Sequence, residues 1–162
     1  MGRWLGGTVA RRQGDVVALG AVVAAAVLMI CSALVHIHLW DIAYRHVATL
    51  GPLFLVQAIA ALVLAVVLVA ARAVVVALVS IALMLGTVVG FILADTVGIF
   101  GFTLAKVTGW AYEALVSELL SALVLSLLVV RSWRAAARDA AWAVEKSEKA
   151  QQAQQTGMVS GT

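Results

Sequence analysis

From Leu53 to Ala94 the chain carries a single charged residue, Arg72. A helix needs roughly 20 apolar residues to cross a hydrocarbon core of about 30 Å. The run is too long for one crossing, so it has to fold back on itself. The turn falls at Arg72, giving spans over about 53–71 and 73–94, although no Gly, Pro or Asn marks it. A first span covers about 16–38, between Asp15 and a histidine-rich stretch, and a fourth covers about 107–130 with Glu113 and Glu118 inside it. The fold class expected is all-α: a four-span transmembrane bundle in up-down order with short connections. Residues 1–15 then form a short N-terminal segment, 16–131 the transmembrane domain and 132–162 a tail.

Composition agrees. The chain is 64% hydrophobic and 12% charged, against roughly 45–50% and about 25% in soluble domains. Four spans occupy most of its 162 residues, which excludes a large extramembrane domain. The single cysteine, Cys31, has no partner in the chain and reads as a small buried hydrophobe.

Orientation follows from the basic residues, because Lys and Arg are retained on the cytoplasmic side of short loops. Arg3, Arg11, Arg12, Arg72, Arg131, Arg134, Arg138, Lys146 and Lys149 fall on one side, and only Arg45 and Lys106 on the other. Both termini are expected in the cytoplasm, with the chain multi-pass in an inner or plasma membrane. The same bias argues against a protein that inserts in both orientations. Arg11-Arg12 before an apolar stretch resembles a secretory leader, but an h-region spans only about 7–15 residues and ends at small residues. Here the stretch is longer and ends in HIHLWD, and Cys31 follows Ile30, so a retained first helix is expected.

After Val130 the sequence becomes RSWRAAARDAAWAVEKSEKAQQAQQTGMVSGT. Arg131, Arg134 and Arg138, with Trp133 beside them, suit the membrane interface, where cations meet anionic lipid. The Ala-rich part to about Ala150, with Glu145 and Lys149 at i, i+4, is expected as a short surface helix. The final QQAQQTGMVSGT is polar and is expected to be disordered, with docking of a partner as the alternative.

All three histidines, His36, His38 and His46, lie within LVHIHLWDIAYRHVATLGP, at the outer end of the first span. Gln57, Asp95, Glu113 and Glu118 fall in the outer half of the other spans, with Glu118 deepest, near the midplane. The inner half offers only hydroxyls such as Ser80 and Ser126. Ionisable residues within a membrane are costly, so they face the bundle interior or a wet cavity. At about 100° per residue, Trp110, Glu113, Ser117, Glu118 and Ser121 share roughly one side of the fourth helix, and that side should face the other helices. Gly86 and Gly90, in GTVVG, have the spacing that lets helices approach closely.

Three roles fit this polar set. The first is a metal or haem site drawing on His36, His38 or His46 with Glu113, Glu118 or Asp95, since imidazole and carboxylate suit Zn, Fe, Cu or Mn. Against it, His36 and His38 differ by about 200° around a helix. The second is a proton or cation path in which Glu118 carries the proton and His36 exchanges it with the outer solution. The third is structural, the groups satisfying one another, with Asp41 and Arg45 paired at i, i+4 and Trp40 and Tyr44 in an aromatic belt. The structural role, in an accessory membrane subunit, is the primary expectation, with no cofactor. A small proton or cation transporter or a metal- or haem-binding protein built on His36, Glu113 and Glu118 is the alternative. No P-loop, dinucleotide-binding glycine motif or nucleophile elbow is present, and no catalytic residue is assigned. Acid/base chemistry on lipid stays open. Topology accounts for the basic balance, so no nucleic-acid partner is expected; a membrane-protein partner or a homo-oligomer is.

His36-x-His38-x-Trp40, Tyr44-Arg45, Gly51-Pro52-Leu53-Phe54 and Gly98-x-Phe100-Gly101-Phe102 resemble small, uncharacterised four-helix integral membrane proteins of high-GC bacteria, over roughly residues 16–131. The resemblance implies the four-helix fold and a bacterial inner membrane, and brings no activity with it.

Overall fold

The computed structural model describes residues 8–9, 16–98 and 109–160. It is all-helical: α1 (Val16–Leu39), a π-helical turn (Trp40–Tyr44), α2 (Leu50–Ala71), α3 (Val74–Thr96) and α4 (Gly109–Ser160). Arg3, Arg11, Arg12 and Lys106, and the loop glycine Gly101, lie outside the described residues.

Each helix contains a stretch long and apolar enough to cross a membrane. The helices pack as a ring, α1 against α2 and α4, and α3 against α2 and α4. Its interior is lined by small side chains. On α2, Ala58, Ala61 and Ala65 are buried while Val56, Val63 and Val66 face outward. In water that arrangement would waste the larger aliphatic side chains. In a bilayer, lipid tails cover the valines at no cost and the alanines let backbones approach closely.

The same inversion explains two departures from expectation. Cys31 is exposed, because the neighbouring Ser32 takes the inward position and one residue turns the helix by about 100°. Gly86 and Gly90 meet nothing within 4 Å where a Cβ would stand, so among the described residues neither marks a close helix contact.

The chain reverses between α2 and α3 at Arg72, which caps α2 in the left-handed region at φ 49°. For a residue with a Cβ this costs about 1–2 kcal/mol. The Arg72 carbonyl accepts a hydrogen bond of 2.7 Å from the Val9 N–H, and Thr8 bridges Ala73. Thr8 and Val9 are thus fastened at this turn.

At the opposite end, the π-turn closes with the Arg45 N–H donating to the Trp40 carbonyl at 2.8 Å. Arg45 also pairs with Asp41 at 3.4 Å in an exposed position. Gly51, in the first turn of α2, lies directly under this segment. A Cβ there would stand 2.6 Å from the Tyr44 carbonyl oxygen and 3.1 Å from that of Arg45. Backbone cannot swing aside as a side chain does, so Gly51→Ala should destabilise the protein by about 1–3 kcal/mol. Thermal unfolding in detergent, with Gly86→Ala as the unaffected control, measures this; equal midpoints for the two variants would count against the packing described.

α4 departs most from expectation. The sequence predicts a short surface helix to about Ala150, followed by a disordered end. One helix instead runs from Gly109 to Ser160. No Gly or Pro occurs between Gly109 and Gly157, and the Ala-rich segment after Arg131 keeps high helix propensity. Lys149 donates to Glu145 at 2.6 Å across one turn. Nothing in residues 131–150 stops a helix that the span has already nucleated.

Candidate functional site: a buried Ser–His–Glu cluster

Ser32 and His36 are four residues apart on α1 and therefore share a face, and both are buried. α4 runs antiparallel alongside and brings Glu118, 2% exposed, to the same point. The Ser32 hydroxyl donates to Glu118 Oε1 at 3.0 Å, and His36 Nε2 lies 3.7 Å from that oxygen. The Thr87 hydroxyl of α3 lies beside the same carboxyl but gives its one hydrogen to the Leu83 carbonyl at 2.7 Å. One turn further along, the Ser121 hydroxyl donates to the Ala25 carbonyl at 3.4 Å, a second fastening of α4 to α1.

The tautomer of His36 follows from its partners. Nδ1 lies 2.9 Å from the Ser32 carbonyl oxygen. A carbonyl only accepts, so Nδ1 carries a hydrogen. Nε2, facing Glu118, then has a lone pair when the ring is neutral and an N–H when it is charged. Phe54 of α2 covers the ring with centroids 5.2 Å apart, and Tyr44 stacks on Phe54 at 4.6 Å. Gln57 comes one turn after Phe54 on α2. It is buried, and its Nε2 has no hydrogen-bond partner among the described residues.

His36 and Glu118 are thus brought together, and Gln57 is buried on α2, the helix whose Phe54 covers His36. The other candidates are dispersed. His38 points away from His36 and lies against Trp110, with ring centroids 4.7 Å apart. His46 is exposed and accepts from Arg45 Nε at 3.0 Å. Asp95 is exposed at the end of α3. Glu113 is exposed as well, and Trp110 is 47% exposed, contrary to the expected inward face of α4. Glu113 lies about 140° around the helix from Glu118, whereas Ala114, Ser117 and Ser121, all buried, fall on the Glu118 side. Among the described residues, no three His, Cys, Asp or Glu side chains gather closely enough to hold a metal.

Sequence reasoning missed Ser32 and Thr87. Ser32 had a signal, a hydroxyl exactly one helical turn before the buried histidine. Thr87 had none, since only the packing of α3 on α4 decides that it meets an acid.

What fold and site define is a four-helix bundle of membrane-spanning character whose interior holds one polar cluster fastening α1 to α4. No family model, no curated protein and no solved structure matches the chain.

Proposed function

We propose that this protein is an integral membrane protein of an inner or plasma membrane, with both termini cytoplasmic, serving as an accessory or structural subunit. One observation carries the reading. Glu118, the most deeply buried acid among the described residues, takes a hydrogen bond from Ser32 of its own bundle, with His36 and Thr87 beside it. A side chain that accepts a hydrogen bond from a neighbouring helix fastens the two helices together.

The interior towards the chain termini supports the same reading: Met29, Met84, Leu125 and Leu68 are fully buried there, and the buried Ser80 and Ser121 hydroxyls donate to backbone carbonyls. The basic residues Arg131, Arg134 and Arg138 sit where α4 leaves the apolar stretch and suit anionic headgroups. An accessory subunit works beside a membrane-protein partner or further copies of itself. The alternative set of His36, Glu113 and Glu118 for a proton or cation transporter, or for a metal- or haem-binding protein, loses support from the outward position of Glu113.

Proteoliposomes carrying the purified protein test the reading, together with metal analysis and an absorption spectrum. Ion and proton flux equal to that of lipid alone, in wild type and Glu118→Gln alike, is the expected result. A flux that Glu118→Gln abolishes, or a stoichiometric metal or haem band that His36→Ala removes, would overturn it.

A further inference from the structure

The cluster has a property that fastening alone does not require. His36 Nδ1 is committed as a donor to the Ser32 carbonyl at 2.9 Å, and Ser32 donates its hydroxyl to Glu118 Oε1 at 3.0 Å. The remaining valence of the imidazole, Nε2, faces that same carboxylate oxygen at 3.7 Å. Three states of this pair follow from counting protons. With none on Nε2 and none on the carboxyl, the site holds a net negative charge. With both protonated it holds a net positive charge. With one, it is neutral overall, either as carboxylic acid and imidazole or as carboxylate and imidazolium. Net charge inside a bilayer costs several kcal/mol, and no other charged side chain among the described residues faces this point to offset it. The neutral state therefore contains one proton that belongs to the pair and to neither residue alone.

Every surrounding element agrees. α2 presents Phe54 and Gln57, neither titratable, and α3 presents Thr87, with Asp95 exposed at its far end. On α4 the other acid, Glu113, is exposed. On the π-turn, Tyr44 stacks on Phe54, while Asp41 and Arg45 pair with each other in exposed positions. Among the described residues, His36 and Glu118 are the titratable groups facing this interior.

We infer that His36 and Glu118 form a binding site for a single exchangeable proton, carried either by the Glu118 carboxyl or by His36 Nε2, 3.7 Å apart. Transfer within the site breaks the O–H bond of the Glu118 acid and forms an N–H bond at Nε2, leaving carboxylate and imidazolium with no change in net charge, and it requires the two atoms to close from 3.7 Å to hydrogen-bond distance. Exchange with solution occurs from the π-turn end, where exposed Asp41 lies five residues beyond His36, about 7.5 Å along the helix. In the other direction the fully buried Met29, Met84 and Leu125 supply no titratable side chain, and the buried Ser121 and Ser80 hydroxyls donate to the carbonyls of Ala25 and Val76. The chemistry is that of a proton-binding site and not of a path across the bundle.

Nuclear magnetic resonance of the whole protein in lipid nanodiscs, with ¹⁵N-histidine and ¹³C-carboxyl glutamate labels, tests this directly. The expected result is a His36 that keeps its Nδ1 proton at all pH values. As the shared proton is lost on raising the pH, the His36 Nε2 and Glu118 carboxyl signals should shift together at one common midpoint. In Glu118→Gln the His36 signal should leave that midpoint. Separate midpoints in the wild type, an Nε2–H tautomer of the neutral ring, or a His36 titration unmoved by Glu118→Gln would each overturn the inference. If the variant does not fold, the wild-type titration decides alone. Failure here leaves the accessory-subunit reading standing, because that reading is tested by flux and metal content.

Discussion

Glu118→Ala lowers the stability of the detergent-solubilised protein by about 2–3 kcal/mol, the sum of two lost interhelical contacts and a cavity. Interhelical hydrogen bonds in membranes average about 0.6 kcal/mol and reach about 1.7. The substitution strips Ser32 of its acceptor and His36 of its partner. It also leaves a void among the small residues Ala25 and Ala122 that the surrounding helices close only in part. Glu118→Gln keeps the shape and an acceptor for Ser32, so its loss should be nearer to 1 kcal/mol. Glu113→Ala, at an exposed position, should change nothing measurable. Denaturation in a fixed detergent ranks the three variants. Equal stability of Glu118→Ala and Glu113→Ala would mean that the cluster holds nothing together.

The second large effect concerns α4. A helix uninterrupted from Gly109 to Ser160 makes its exposed part a rod whose length is set by the rise per residue. With Cys31 replaced by Ala, spin labels at Ala137→Cys and Gln152→Cys are fifteen residues apart, so their backbones should stand about 22 Å apart with a narrow distribution. Adding Ala143→Pro removes an internal hydrogen bond and costs about 3 kcal/mol or more of local helix stability. The distribution should then broaden and shift. A broad distribution before proline is introduced would restore the reading of a separate surface helix with a loose end.

How far the site could be read in advance differs between residues. His36 and Glu118 stand out in any reading, because an ionisable group in an apolar run has to be explained. Their pairing does not follow from spacing, since they lie on helices far apart in sequence. Glu113 illustrates the limit more sharply. The polar residues of the fourth span suggest one broad inward face, yet the true face is centred between Ser117, Glu118 and Ser121, and Glu113 falls outside it. A helix that is apolar on nearly every side carries little directional signal, and a few polar groups leave the angle uncertain by half a turn.

The sequence by itself determined length and depth: four apolar stretches, a reversal forced within Leu53 to Ala94, and the levels at which polar groups fall along each helix. Those quantities depend on counting residues against a fixed rise and a fixed bilayer thickness, which neighbours do not alter. Tertiary structure alone decided rotation and partnership. It turned Ser32 inward and Cys31 outward, left Gly86 and Gly90 facing away from the bundle, and closed Ser32, His36, Thr87 and Glu118 into one cluster. Rotation about a helix axis is set by which small side chains let two backbones approach, a property of pairs of helices that no single stretch of chain contains.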